Sequence, residues 1–75
     1  MHYNIPNRNL KSARIKFGDT QQDLAKYLGI TINTLNLKEN GKYKFTLDEA
    51  LMISKRYNKT IEEIFFDDLD VVTTT

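Results

Sequence analysis

The chain has 75 residues, no cysteine, 28% charged residues and a formal net charge of +1. This length allows one domain with a small core, and the lack of cysteine excludes a disulfide frame or a thiolate metal site. No apolar run approaches the roughly 20 residues of a membrane span, and residues 1–8 lack the apolar segment of a signal peptide, so a soluble, cytoplasmic protein is expected.

The charge is unevenly spread. Residues 1–44 carry eight basic and three acidic side chains, a balance of +5, whereas residues 45–75 stand at −4. A polyanion is drawn to the first half and repelled by the second.

Residues 1–7 read as an irregular arm, since Asn4, Pro6 and Asn7 are breakers. A first helix is predicted over about 8–17, with Leu10, Ala13, Arg14 and Phe17 at the i, i+3, i+4, i+7 spacing of a buried stripe. Gly18-Asp19 forms the loop to a second helix. Thr20 suits its N-cap, and Asp23 suits its positive end. Leu24 and Leu28 share a face beside Ala25, whose small side chain lets another helix cross closely. Gly29 stops this helix in the left-handed conformation, Ile30 plugs the turn, and Thr31 caps a third helix that ends at Asn40-Gly41.

That third helix places Ile32, Asn33, Asn36 and Leu37 on one side and Leu35 on the other. Short amides and apolar groups are an unusual surface for an exposed helix. The following loop, Lys42-Tyr43-Lys44-Phe45, alternates basic and aromatic residues, so Lys42 and Lys44 are candidate phosphate contacts. Phe45 is read as a core anchor before the Thr46-Leu47-Asp48-Glu49 capping box. The fourth helix is predicted over about 47–57, with Leu47, Ala50, Leu51, Ser54 and Tyr57 inward and Ile53 beside them; Asn58 caps it. A second capping box, Thr60 to Glu63, opens a fifth helix to about Phe66, in which Ile61, Ile64 and Phe65 close the core. Phe66, Val71 and Val72 are surplus apolar surface and are read as a homodimer contact. The tail 67–75 is acidic.

The residues Gln21, Leu24, Ala25, Leu28, Gly29, Ile30, Leu35, Glu39, Asn40, Gly41 and Lys42, in this register, resemble the helix-turn-helix of the lambda-repressor-like (XRE) family, and the variant Lys38 to Lys42 followed by Phe45-Thr46-Leu47 looks most like small phage-type repressors. The resemblance extends upstream to Leu10, Ala13 and Arg14 and downstream through Phe65. It implies an all-α, five-helix bundle with the DNA-binding domain over 8–66, and a dimer reading a near-palindromic site. It implies an ion pair between Arg14 and Glu39 that orients the end of the third helix. It also implies backbone contacts from Gln21, Asn40 and Lys42, with Thr31 and Lys38 completing the phosphate set beside Lys44.

Base reading is expected from the third helix in the major groove. An Asn amide donates and accepts at once, which suits adenine, so Asn33 and Asn36 are the expected readers; Ile32 or Leu37 would touch a thymine methyl. One departure from the family stands out. The position of Lys38 is ordinarily apolar and that of Leu37 polar. Either Lys38 lays its stem on the core and sends its ammonium to solvent or phosphate, or the helix is rotated.

Catalysis finds no support. His2 is the only histidine and has no nucleophile partner, and Asp67, Asp68 and Asp70 lack the glycine turn and spaced ligands of a metal loop. No cofactor, metal or small-molecule substrate is expected. The expected partner is double-stranded DNA, bound by a repressor-like transcriptional regulator. A protein-interaction module working through Ile32 and Leu37, or an antitoxin, is the alternative.

Overall fold

The computed structural model describes residues 7–66, the last of these by its backbone only. The expected contact through Phe66, Val71 and Val72, the arm 1–6 and the tail 67–75 lie outside the described side chains. Five helical elements follow one another: α1 (Arg8–Phe17), α2 (Gln21–Leu28), α3 (Ile32–Glu39), α4 (Leu47–Tyr57) and α5 (Glu62–Phe66). No described helix is long and apolar enough to cross a membrane.

Local chemistry fixes each boundary. Gly18 ends α1 at φ +96°, donating its N–H to the Arg14 and Ile15 carbonyls. Thr20 and Asp23 form a reciprocal capping box at α2, at 2.9 and 3.0 Å. Gly29 ends α2 at φ +76°, a backbone conformation that costs other L-residues about 1–2 kcal/mol. Thr31 then accepts the Thr34 N–H at 3.1 Å and starts α3. The turn between α2 and α3 is therefore only Gly29-Ile30-Thr31. Thr46 and Glu49 box the start of α4, and Asn58 ends it at φ +53°.

The core joins Leu10 and Ala13 of α1, Leu24 and Ala25 of α2, Leu35 of α3, Ile53 and Tyr57 of α4, and Ile64 of α5, with Leu28, Ile30, Phe45 and Phe65 packed against it. Each fully buried leucine or isoleucine contributes about 1.5–3 kcal/mol. Phe45 and Phe65 meet with ring centroids 5.4 Å apart, tying the loop after α3 to α5.

Two sequence expectations need correction. Leu47 and Leu51 are 70% and 45% exposed and do not belong to the inner face of α4. That face is centred on Ala50, Ile53 and Tyr57; at about 100° per residue Leu51 points well away from it, and Leu47, at the first helical position, projects past the end of the bundle. Phe17 keeps the phase of the α1 stripe but is half exposed; its ring packs edge-to-face with Tyr57, centroids 5.2 Å apart, instead of entering the core. The expected fifth helix is present, opened by reciprocal Thr60 and Glu63 capping bonds and wound as a π-helix over Glu62–Phe66.

Candidate nucleic-acid interface

Helix α3 is divided cleanly between two surroundings. Leu35, Lys38 and Glu39 are buried; Ile32, Asn33 and Asn36 are exposed; Leu37 lies half-buried on the boundary. The core side is set by Leu35, which is fully enclosed, and by the crossing of α2, where Ala25 permits close approach.

The departure at Lys38 is settled by its partners. Its stem is buried, and its ammonium bonds Glu49 Oε1 at 2.5 Å beneath the Phe45 ring, 5.7 Å from the centroid. Helix α3 is not rotated to expose Lys38. The expected phosphate contact by Lys38 is therefore corrected: its charge is neutralised inside the domain. Burial pushes the Glu49 carboxyl up, but the bonds from Lys38 and from the Thr46 backbone outweigh it and hold it below the usual carboxylate range.

The end of α3 is anchored by a buried carboxylate. Glu39 is fully enclosed and accepts from Arg14 Nε at 2.9 Å, from the second Arg14 nitrogen at 3.4 Å and from Gln21 Nε2 at 2.9 Å. Arg14 also donates to the Asp19 carbonyl at 3.1 Å. One guanidinium thus ties the C-terminus of α3 to the N-terminus of α2. Gln21 spends one amide hydrogen on Glu39 and keeps the other. Asn7 closes the same end, its backbone N–H bonding the Glu39 carbonyl at 2.8 Å and its Nδ2 the Lys38 carbonyl at 3.0 Å.

A second polar cluster braces α4 against the start of α2. Asp19 is buried and accepts from Arg56 at 2.6 and 2.9 Å and from the Tyr57 hydroxyl at 2.8 Å. Arg56 lies between the Phe17 and Tyr27 rings, 5.2 and 4.6 Å from their centroids. The Arg56 hydrogen bonds hold the Asp19 carboxyl below its usual range against the opposing effect of burial. Burial and the bond to Asp19 push the Tyr57 phenol well above its ordinary value. The Thr20 capping bonds likewise lower Asp23.

Around this scaffold the polar groups of the exposed face are arranged in two ways. Lys42, Tyr43 and Lys44 are exposed, and neither lysine has an ion-pair partner among the described residues. Asn33 is exposed and makes no side-chain hydrogen bond among them. Thr31 is exposed, and its hydroxyl both caps α3 and bonds the Thr34 hydroxyl at 2.9 Å. Asn36 and Asn40 are not free. Lys11 Nζ bonds Asn40 Oδ1 at 3.3 Å, and Asn40 Nδ2 bonds Asn36 Oδ1 at 2.9 Å. The Lys11, Asn7 and Asp19–Arg56 contacts had no local sequence signal, since their partners lie 29 to 37 residues away.

Two helices joined by a three-residue turn, the second with an exposed amide face and buried anchors, define a helix-turn-helix protein. The helix-turn-helix family model matches residues 10–64. Relatives agree. The chain is 40% identical over 60 residues to an uncharacterized HTH-type transcriptional regulator of Archaeoglobus fulgidus, covering 79% of this chain and 86% of that protein. It is 43% identical over 56 residues to the uncharacterized HTH-type transcriptional regulator MJ0272 of Methanocaldococcus jannaschii, covering 75% and 85%. It is 33% identical over 57 residues to the HTH-type regulator YgzD of Bacillus subtilis, covering 76% and 86%. No solved structure gives a significant match. The chain belongs to the lambda-repressor-like, XRE-type helix-turn-helix family and is a DNA-binding regulator rather than an enzyme.

Proposed function

We propose that the chain is a sequence-specific, repressor-type transcriptional regulator that reads the major groove of double-stranded DNA with α3. The observation that carries this is the split of α3. Its buried side locks onto the core through Leu35, Lys38 and Glu39, while Ile32, Asn33 and Asn36 stand exposed, and the exposed Lys42 and Lys44 have no ion-pair partner among the described residues. The base-reading set is Ile32, Asn33, Asn36 and Leu37. The phosphate set is Gln21, Thr31, Asn40, Lys42 and Lys44, and the helix N-termini at Gln21 and Ile32 add free N–H groups for anions.

The reading includes a homodimer. Eight residues at about 1.5 Å each make α3 about 12 Å long, which reaches only about four base pairs. Two copies on half-sites about 34 Å apart, one turn of DNA, supply the selectivity that one copy lacks.

The test is a fluorescence-anisotropy titration of a mixed-sequence duplex at several salt concentrations. Lys42 and Lys44 have no ion-pair partner among the described residues, so log K should fall against log salt with a slope of about −2 per protomer. Salt-independent binding, or none at low salt, refutes the reading and turns attention to a protein partner for the Ile32 and Leu37 face. Sedimentation on DNA reports the stoichiometry.

A further inference from the structure

The hydrogen-bond chain from Lys11 through Asn40 to Asn36 fixes which atoms Asn36 can offer. Amide oxygen and nitrogen look alike in shape, so their placement has to be argued from partners. Here the partners decide it. A lysine ammonium only donates, so the Asn40 atom facing Lys11 Nζ at 3.3 Å is its oxygen. The other Asn40 atom is then Nδ2, a donor. The Asn36 atom that meets it at 2.9 Å is therefore the oxygen. This commits the Asn36 oxygen to Asn40, one turn further along α3, and leaves both Nδ2 hydrogens without a partner among the described residues. Asn33, three residues earlier on the same face, has no such partner among the described residues and keeps both its donor and its acceptor free.

The two asparagines are chemically similar but present different groups. Taking the DNA-binding reading as given, we propose that Asn36 is a donor-only reader that selects the N7 and O6 acceptor pair of guanine, with Lys11 and Asn40 as the residues that set its orientation. An Asn that reads adenine must turn its oxygen to N6 and its nitrogen to N7. Asn36 faces the groove with N–H groups, which meet the adenine N6 amino group donor to donor. Guanine offers two acceptors and no donor on that edge. Cytosine offers only its N4 donor, and thymine offers one acceptor beside a methyl group. The expected adenine contact by Asn36 is thus replaced by a guanine contact, while Asn33 keeps adenine.

Lys11 is a positioning residue in this scheme. It belongs to α1 and bonds Asn40, not Asn36. Its removal frees both amides to rotate, so its loss changes preference at one base pair. A lysine that only touched phosphate would instead weaken all sequences alike.

The experiment is selection of the full chain from a random duplex library, followed by sequencing, with wild type, N36A, N36D and K11M compared. Thermal melting by circular dichroism verifies that each variant is folded. The base pair at which N36A alone flattens the preference is the Asn36 position. Wild type should carry guanine there, with about ten-fold or greater discrimination over adenine. N36D replaces the donor by an acceptor and should switch that position to cytosine. K11M should admit adenine beside guanine at that position and leave the rest of the motif unchanged. Adenine, thymine or cytosine in the wild-type motif, or no position altered by N36A, overturns the donor-only assignment. An unchanged guanine preference in K11M overturns the role of Lys11. Wild type that binds DNA with the expected salt dependence but enriches no motif overturns this inference alone, whereas failure to bind any duplex at low salt removes the DNA reading itself.

Discussion

Replacing Glu39 by alanine should destabilise the domain by about 3–5 kcal/mol. Glu39 is fully enclosed, and its carboxylate receives two Arg14 nitrogens and the Gln21 amide. Without it, the Arg14 side chain, 11% exposed, keeps its charge with only the Asp19 carbonyl to accept from it. Breaking one side of a buried pair costs about 3–5 kcal/mol, mostly the cost of the stranded charge. A folded chain of this size holds about 4–11 kcal/mol in total. The assay is urea unfolding followed by circular dichroism at 222 nm, with E39A expected to lose about 3–5 kcal/mol, roughly a quarter or more of the wild-type free energy. The double variant R14M/E39L separates the stranded charge from the lost contacts, since it removes both charges and keeps apolar volume. It should be more stable than E39A. An E39A protein within about 1 kcal/mol of wild type, or a double variant worse than the single, would refute this account of the α3 anchor.

Lowering the pH tests the capping and bracing carboxylates together. Asp19, Asp23 and Glu49 are all held below their ordinary values, so each stabilises the fold above its unfolded pKa, and that stability is lost as pH falls through the lower folded value. Melting temperature should stay level from neutral pH to about 5 and fall below about 4; a decline starting near pH 6 would point to other groups. Lys38 and Lys42 should behave oppositely on DNA. K42A should reduce the salt slope by about one, whereas K38M should leave it unchanged because Lys38 is already neutralised by Glu49, and equal effects would contradict that pairing. Leu47→Gln should change stability by no more than about 0.5 kcal/mol, as expected for a side chain outside the core; a loss above about 2 kcal/mol in urea unfolding would return Leu47 to it.

What the sequence disclosed and what it withheld divide along sequence distance. Caps and stops act within four residues, so Thr20 with Asp23, Gly29, Thr31, Thr46 with Glu49 and Asn58 were legible from spacing alone, and with them the helix boundaries. Burial on α2 was legible because Leu24 and Ala25 sit mid-helix. Periodicity failed at helix ends, where phase no longer decides burial: Phe17 closes α1 and Leu47 opens α4, and both stand at the rim. At Lys38 the buried stem was one of the two expectations, but the destination of its ammonium was not legible, because Glu49, eleven residues on, supplies the counter-charge. The candidate reading face was legible as a set of residue types, two amides among apolar groups. Its chemistry was not, because the orientation of Asn36 is imposed by Asn40 and by Lys11, the latter 29 residues before Asn40. The sequence therefore indicates which side chains of α3 are exposed, but the hydrogen-bond partners of Asn36 come from the tertiary structure. In the proposed reading, base preference at the Asn36 position depends on α1 as well as on α3, because the hydrogen-bond chain to Asn36 begins at Lys11.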